Sequence, residues 1–182
     1  MIWGDVRIKD AMSRGLIEGA EVENIGPASL DLRLGDTFLV PKGPGIVLGE
    51  LVEYDRYCMR DGRFKTIRPG EFMLATTMEC IHVPCDAAAF VQGRSSIGRI
   101  GLTVQNAGFV DPGFHGHITL ELVNESSSTI WLKPGYRVAQ LVFMDANGVT
   151  FGYKGKYNGQ CEATGSRMWQ DREAQHGSKE TV

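Results

Sequence analysis

The sequence predicts a mainly β protein, a sandwich or barrel of short strands with one helix near the N-terminus. Short apolar runs alternate with turn residues through most of the chain, which contains 23 glycines and 7 prolines, and this pattern is typical of all-β sandwiches and barrels. Several runs alternate apolar and polar residues with the period that a strand imposes. Helical periodicity is convincing only near the N-terminus.

The length and composition favour a single domain with a sizeable core. The chain has 182 residues, of which 42% are hydrophobic and 23% charged, as is ordinary for a globular protein. A net charge of −3 argues against general nucleic-acid binding, which needs a basic surface. No apolar run reaches membrane-spanning length, and no basic segment followed by an apolar one opens the chain. We therefore expect a cytoplasmic protein without nucleic-acid or membrane partners.

The four cysteines are predicted to be reduced thiols. They occur at irregular spacing, without a Cys-x-x-Cys pair, at Cys58, Cys80, Cys85 and Cys161. This pattern differs from the disulfide framework of a small secreted protein.

The first elements are a helix and a strand. Asp5 is placed to cap a helix that ends near Gly15, and its apolar side would cover one side or end of the sheet. That side consists of Ile8, Ala11, Met12 and Leu16. Residues 30–34 then read Leu-Asp-Leu-Arg-Leu, a strand with three leucines on one face. The simplest interpretation leaves Asp31 and Arg33 in solvent on the other face.

Two later segments, residues 67–75 and residues 131–143, each place a Pro-Gly turn ahead of a strand. Because Pro and Gly suit successive turn positions, the repeated unit predicts internal pseudo-repetition in a jelly-roll-like pair of sheets. Residues 54–65 lie after the first strand and before both of these segments, and they are compatible with either a hairpin or an exposed loop.

Residues 93–99 have a composition suited to holding phosphate. Two arginines and two hydroxyls lie close together there, at Arg94, Ser95, Ser96 and Arg99. Guanidinium groups bind phosphate oxygens through charge-assisted hydrogen bonds, and neighbouring glycines let a ligand approach the backbone. The alternative is that the arginines are surface charges and the serines turn residues, since an anion site needs donors that converge.

A turn and a further strand follow. Asp111-Pro112-Gly113 is a turn sequence in which Pro fixes φ and Gly supplies a positive φ. Residues 118–123 alternate, which places Glu121 on the face opposite Leu120 and Leu122. If that face lines a cavity, Glu121 is a candidate acid or base on a rigid strand. Otherwise it is a strand glutamate that faces solvent or pairs with an arginine.

Residues 151–182 differ from residues 1–150, which we assign to the β domain with its N-terminal helix. The later segment is rich in aromatic, glycine and basic residues, and little in it could build a core. We expect a flexible arm that folds over a ligand, with a frayed tail from residue 176 on. A solvated linker is the alternative.

Residues 93–124 closely resemble the dCTP deaminase branch of the dUTPase-like superfamily. The matching run is Gly-Arg-Ser-Ser-x-x-Arg-x-Gly-Leu followed by Ala-Gly-Phe-Val-Asp-Pro-Gly-Phe-x-Gly-x-Ile-Thr-Leu-Glu-Leu-x-Asn. Similar family motifs occur at residues 29–35 (Ser-x-Asp-x-Arg-Leu-Gly) and residues 156–160 (Lys-Tyr-x-x-Gln). The resemblance implies a dUTPase-like distorted jelly-roll or β-barrel, assembled as a homotrimer with shared active sites. Its C-terminal arm would close over the nucleotide.

The resemblance also implies a reaction, the hydrolytic deamination of dCTP to dUTP and ammonia. Gln-Asn-Ala-Gly at residues 105–108 resembles a subgroup in which the same site hydrolyses dUTP onward to dUMP and pyrophosphate, whereas many other members have His-x-Thr-Ala in this region. Mg²⁺ is expected to travel on the triphosphate of the nucleotide rather than on protein ligands. A dUTPase without deaminase activity is the first alternative, and a non-catalytic nucleotide sensor is the second.

By the same resemblance, Glu121 acts on the base. It would shuttle protons between the attacking water, the ring N3 and the departing amine, and partial burial would raise its pKa toward neutrality for this task. Asp111 aligns with the carboxylate that activates water for attack at the α-phosphorus. The triphosphate contacts are Arg94, Ser95, Ser96, Gln140 and Arg99, the last a candidate for reaching a neighbouring subunit. The other substrate-binding residues are Asn106, Ala107, Phe109, Lys156, Tyr157 and Gln160.

No zinc is expected at the base. Zinc deaminases carry His-x-Glu and Pro-Cys-x-x-Cys motifs; no histidine here is followed two residues later by Glu, and Pro84-Cys85 lacks the second cysteine. His115 and His117 alternate at the start of a strand, but no cysteine or carboxylate stands at a matching spacing along the sequence. The sequence therefore predicts no metal held directly by protein side chains.

Overall fold

A computed structural model describes residues 1–104 and 108–176, so the predicted contacts Asn106 and Ala107 and the end of the tail lie outside the described residues. The helices are α1 (Asp5–Ser13), α2 (Ser95–Gly98) and α3 (Arg172–His176). The strands are β1 (Ile17–Glu18), β2 (Leu30–Pro41), β3 (Tyr54–Cys58), β4 (Lys65–Ile67), β5 (Phe72–His82), β6 (Ala87–Gly93), β7 (Leu102–Val104), β8 (Phe109–Val110), β9 (His115–Asn124), β10 (Ile130–Leu132) and β11 (Arg137–Asp145). The predicted mainly β class is confirmed.

The long strand β2 belongs to two sheets. Its first half pairs with β11, which continues to β6 and β8, while its second half pairs with β3 and β5. From β5 the second sheet continues to β9 and β7. A strand that changes sheets in this way forms a corner of a curled, packed structure. The core therefore lies between sheets that are continuous through β2.

Alternation along β2 buries its leucines, as predicted. Leu30, Leu32 and Leu34 are fully buried, and each such side chain contributes about 1.5–3 kcal/mol through the water it no longer contacts. The expectation that Asp31 and Arg33 lie in solvent is wrong. The side chain of Asp31 is only 13% exposed and that of Arg33 only 14%, because residues from other strands surround both of them.

Arg33 pairs with a glutamate that is completely buried. Its Nε lies 2.8 Å from Oε1 of Glu79 on β5, and its backbone N–H donates to the other carboxylate oxygen at 2.9 Å. A buried carboxylate is tolerated when hydrogen-bonded charges of opposite sign surround it. This ion pair fixes β2 against β5.

Helix α1 starts differently from the prediction. Its N-cap is Gly4, which makes no side-chain capping bond, and Asp5 is the first helical residue, paired with Lys9 one turn later at 2.9 Å. A carboxylate in the first turn still favours the helix through its interaction with the dipole. The predicted apolar side is confirmed at Ile8 and Ala11, which are buried. The single-turn helices α2 and α3 were not predicted, because such short segments show no periodicity.

The two Pro-Gly segments meet in space. Strands β4 and β10, which precede the two turns, pair antiparallel in a small sheet of their own. The turn glycines Gly70 and Gly135 have φ of 76° and 84°, values that favour glycine. Residues 54–65 are neither a hairpin of their own nor only a loop, because residues 54–58 form β3, which pairs with the distant strand β2. Among the described residues, no helix has the length and apolar character needed to cross a bilayer.

Candidate active site

A cavity of about 540 Å³ opens between β9, the β6–β8 edge and the chain after residue 151. We call residues 151–176 the arm. Five of the residues predicted from sequence line this cavity: Phe109, Asp111, Glu121, Tyr157 and Gln160. Its volume is in the range of small-molecule binding sites. The structure therefore brings the two predicted carboxylates and part of the arm together at a pocket that could hold a small molecule.

Glu121 enters the cavity because of its position on β9. Its neighbours Leu120 and Leu122 are buried on the opposite face, at 2% and 0% exposure, and Leu74 of β5 stands directly across the ladder. This predicted orientation is confirmed. Burial raises the pKa of the Glu121 carboxyl, since a low-dielectric site disfavours the charged form. A carboxyl group with a raised pKa can both accept and donate a proton near neutral pH.

Within residues 1–104 and 108–176, Glu121 takes part in no ion pair. The described part of the chain therefore places the Glu121 carboxyl group in the cavity without a paired cation.

Asp111 begins the predicted turn, which is confirmed. The backbone N–H of Phe114 donates to the Asp111 carbonyl at 3.1 Å, and Gly113 has φ of 84°. The arm packs on this turn, with the Tyr153 N–H donating to the Pro112 carbonyl at 2.7 Å. A Cβ on Gly113 would lie 2.7 Å from the Cα of Gly152, so glycine is required both by φ and by the contact.

The arm extends the sheet at the edge of β9. Strand β7 covers only the end of β9 from Leu122 on, and the arm covers its beginning. The His117 N–H donates to the Gln160 carbonyl at 2.9 Å, and the Gln160 side-chain amide returns a bond to the His117 carbonyl at 2.7 Å. The Gln160 Oε1 is buried without a hydrogen-bond partner among the described residues. It is thus an acceptor available to a bound ligand.

Strand β3 provides the second support for the arm. The Ser166 N–H donates to the Tyr54 hydroxyl at 3.0 Å. Arg56 donates two hydrogen bonds to the Glu162 carboxylate, one of them at 2.6 Å. The Tyr54 ring packs with Leu39, Leu74 and Ala163 and also lines the cavity. Sequence reasoning missed this role of Tyr54, since nothing in its neighbourhood along the chain identifies it.

A second group of predicted residues surrounds Asp31 rather than Glu121. Arg94 Nε lies 3.1 Å and Arg137 Nη1 3.2 Å from one carboxylate oxygen of Asp31, and Gln140 Nε2 lies 3.3 Å from the other. We call these four residues the Asp31 cluster. The sequence analysis assigned Arg94 and Gln140 to the triphosphate but missed Asp31 and Arg137, although Arg137 precedes Gln140 by only three residues.

The other predicted residues that the structure describes do not line the cavity. Ser95 and Ser96 begin α2 and are exposed, as is Arg99 at its end. Lys156 pairs with Asp171 within the arm, at 2.5 Å. Thr119 lines the cavity and accepts a hydrogen bond from the Thr164 N–H at 3.1 Å. It could have been found from sequence, because it precedes Glu121 by two residues on the same face of the strand.

Comparison with solved structures identifies the fold. The crystal structure of 2′-deoxycytidine 5′-triphosphate deaminase from Agrobacterium tumefaciens superposes with a TM-score of 0.66 over 80% of this chain, at 20% sequence identity. The chain spans about half the length of that protein, 48% of which is covered. This likeness establishes a shared, mainly β fold.

Comparison of sequences then identifies the family. A family model described as dCTP deaminase-like matches residues 2–146. The protein is 41% identical over 180 residues to the dCTP deaminase, dUMP-forming, of Sulfurihydrogenibium sp. (strain YO3AOP1), covering 95% of this chain and 100% of that one. It is 39% identical over 184 residues to the enzyme of the same name from Aquifex aeolicus (strain VF5), covering 95% and 98%. The chain belongs to the dCTP deaminase-like family.

Proposed function

We propose that the protein deaminates dCTP to dUTP and ammonia and then hydrolyses dUTP to dUMP and pyrophosphate. The observation that carries this proposal is the half-buried Glu121 carboxyl, held on β9 in a cavity covered by the arm. It occurs in a chain whose relatives at about 40% identity are named dCTP deaminase, dUMP-forming. These names favour the two-step reaction over a dUTPase that lacks deaminase activity.

In the first step, water adds to C4 of cytosine, N3 gains a proton, and the amine leaves as ammonia. Glu121 takes one proton from the attacking water and passes it to N3. It then takes the second proton from the resulting C4 hydroxyl and passes it to the leaving amine, which leaves a carbonyl at C4. The raised pKa of Glu121 suits this exchange, because an acid–base group works best when its pKa lies near the pH of operation. The apolar wall formed by Leu74, Val104 and Ile118 would keep bulk water from the ring.

In the second step, water attacks the α-phosphorus of dUTP and pyrophosphate leaves. Asp111, exposed at the same cavity, is the proposed base for that water. The substrate is the Mg²⁺ complex of the nucleotide. We expect the triphosphate rather than the protein to hold this ion, and the carboxylate of Asp31 is already paired with two arginines.

The complete site is proposed to form in a homotrimer of distorted jelly-roll subunits. Among the described residues of one chain, Glu121 takes part in no ion pair, while Ser95, Ser96 and Arg99 are exposed beside the Asp31 cluster. A neighbouring subunit that places its α2 region at the mouth of the Glu121 cavity would supply the missing cations for the triphosphate. Asn106 and Ala107 would contact the base, and Lys156, Tyr157 and Gln160 would close over the nucleotide. A cytoplasmic location fits a nucleotide substrate.

The test is to incubate the purified protein with dCTP and Mg²⁺ and to measure ammonia while separating dUTP from dUMP by chromatography. We expect ammonia and dUMP in equal amounts. Glu121→Gln should lose ammonia release, whereas Glu125→Gln, at an exposed position just after the same strand, should retain it. If the unmodified protein makes dUMP from dUTP but releases no ammonia from dCTP, the plain dUTPase is correct instead.

A further inference from the structure

Four metal-binding side chains project from one face of the sheet where the arm crosses β9. In the β5–β9 ladder, Cys80 stands opposite His117, and His82 stands opposite His115. Opposed residues and residues two apart on a strand share a face, so these four side chains form a rectangle. Ile81, between the two residues on β5, is buried on the other face. The sheet thus assembles what sequence spacing did not reveal.

Two members of this rectangle are already at the spacing of zinc ligands. Cys80 Sγ lies 3.6 Å from His115 Nε2. In a tetrahedral site with Zn–S near 2.3 Å and Zn–N near 2.0 Å, sulfur and nitrogen ligands stand about 3.6 Å apart. The His82 ring lies beside the pair, with its centroid 5.3 Å from that of His115. The Nδ1 of His117 instead lies 3.0 Å from the Thr77 carbonyl oxygen. We therefore do not count His117 among the metal ligands.

The arm brings a second thiol to the same place. Cys161 directly follows Gln160, whose backbone pairs with Gly116 and His117 of β9. The Cys161 thiol is exposed and donates a weak hydrogen bond to the Gly159 carbonyl at 3.5 Å. A cation that binds thiolate ligands displaces their protons.

We propose that Cys80, His82 and His115 bind a soft divalent cation such as Zn²⁺, with Cys161 of the arm as the fourth ligand. Within the part of the chain that the structure describes, no three such side chains already converge. The ring of His82 and the side chain of Cys161 must therefore rotate inward, and both are exposed enough to do so. On binding, each thiol loses its proton to solvent, and the ion ties the arm to both β5 and β9.

This site is separate from the proposed reaction centre. His115 and Glu121 are six residues apart on β9, which corresponds to about 20 Å at roughly 3.3 Å per residue. The inference depends on the docked position of the arm and not on any reaction at Glu121. Its test therefore needs no nucleotide, and it can fail while the proposed function stands.

The first experiment is a Co²⁺ titration of the reduced protein, followed by the near-ultraviolet charge-transfer band between thiolate and cobalt. We expect a saturable band that Zn²⁺ abolishes by displacement. Cys80→Ser should lose most of it, and His115→Ala should weaken binding roughly tenfold or more. The matched control is Cys85→Ser, at another exposed thiol, which should bind as well as the unmodified protein. Thermal unfolding without metal would verify that all variants are folded.

The second experiment asks whether the ion ties down the arm. Trypsin can cut the arm after Lys154 and Lys156, and Zn²⁺ should slow these cuts in the unmodified protein but not in Cys161→Ser. The absence of a cobalt band, or a band that survives Cys80→Ser, would overturn the site. A normal band together with unchanged arm cleavage would overturn the role of Cys161.

Discussion

The hydroxyl of Tyr54 offers a sharp test of how the arm is held over the cavity. Tyr54→Phe keeps the ring against Leu39, Leu74 and Ala163 but removes the acceptor of the Ser166 N–H bond at 3.0 Å. A hydrogen bond of this kind contributes about 0.5–1.5 kcal/mol net. The loss should favour arm opening by roughly two- to tenfold, since about 1.4 kcal/mol corresponds to a factor of ten.

Only the docked arm completes the cavity, because Tyr157, Gln160 and Thr164 belong to it. The apparent affinity for nucleotide should fall with the docked fraction, so KM for dCTP is expected to rise by up to about tenfold. Tyr54→Ala also removes the ring and should raise KM further. Stability of the β domain should change little in Tyr54→Phe, because the ring remains packed.

The assay is steady-state product formation from dCTP, with trypsin cleavage after Lys154 and Lys156 as an independent measure of arm opening. Tyr57→Phe is the matched control, since Tyr57 lies on the same strand but faces Lys65 and solvent, with its ring 3.8 Å from Nζ. If Tyr54→Phe raises KM and arm cleavage no more than Tyr57→Phe does, the hydroxyl does not hold the arm and the reasoning is refuted.

Three further predictions concern buried or shifted carboxyl groups. The folded state raises the pKa of Glu121, so the ionised carboxylate destabilises the fold at pH values above that raised pKa. At pH values below the ordinary pKa of a glutamate, the group is protonated in both states and costs no stability. Glu121→Gln should therefore have a higher Tm than the unmodified protein at pH 7, and the difference should vanish by about pH 4. The N-terminal ammonium, Trp3 and Arg7 lower the pKa of Asp145 to about 2. The ionised Asp145 therefore contributes its full stabilisation at pH values above the ordinary pKa of an aspartate, and this stabilisation is lost as the pH falls toward 2. When Tm is measured against pH, Asp145→Asn should have a lower Tm than the unmodified protein at pH 7 and an equal one near pH 2. Glu79→Gln leaves Arg33 without its buried partner and should cost about 3–5 kcal/mol in urea unfolding, and a loss below 1 kcal/mol would contradict the assigned burial.

Patterns within a few residues predicted most of the elements that form the site. The alternation around Glu121 and the Asp111-Pro112-Gly113 turn both occur as expected, because a strand fixes the direction of every second side chain and a turn needs a particular residue at a particular φ. Cap geometry was less accurate. Asp5 can favour the start of α1 either as its cap or as its first residue, and the pattern alone does not distinguish the two.

The wrong or missed side-chain contacts involve partners that are distant along the chain. Arg33 and Asp31 were expected in solvent, yet one pairs with Glu79 and the other with Arg94 and Arg137. A polar residue on an alternating strand looks the same to a local pattern whether it faces water or a second layer of protein. Tyr54 was missed for the same reason, as its partner Ser166 is 112 residues away.

The sequence by itself determined the mainly β class, the family, and the face of β9 that presents Glu121, because turn chemistry, strand period and motif spacing are properties of short segments. Only the tertiary structure decided that the arm lies against β9 and β3, that Arg94 and Gln140 share Asp31 rather than the Glu121 cavity, and that Cys80 faces His115. These relations depend on strand register and on the path by which the chain returns, and both are set by the packing of the whole core.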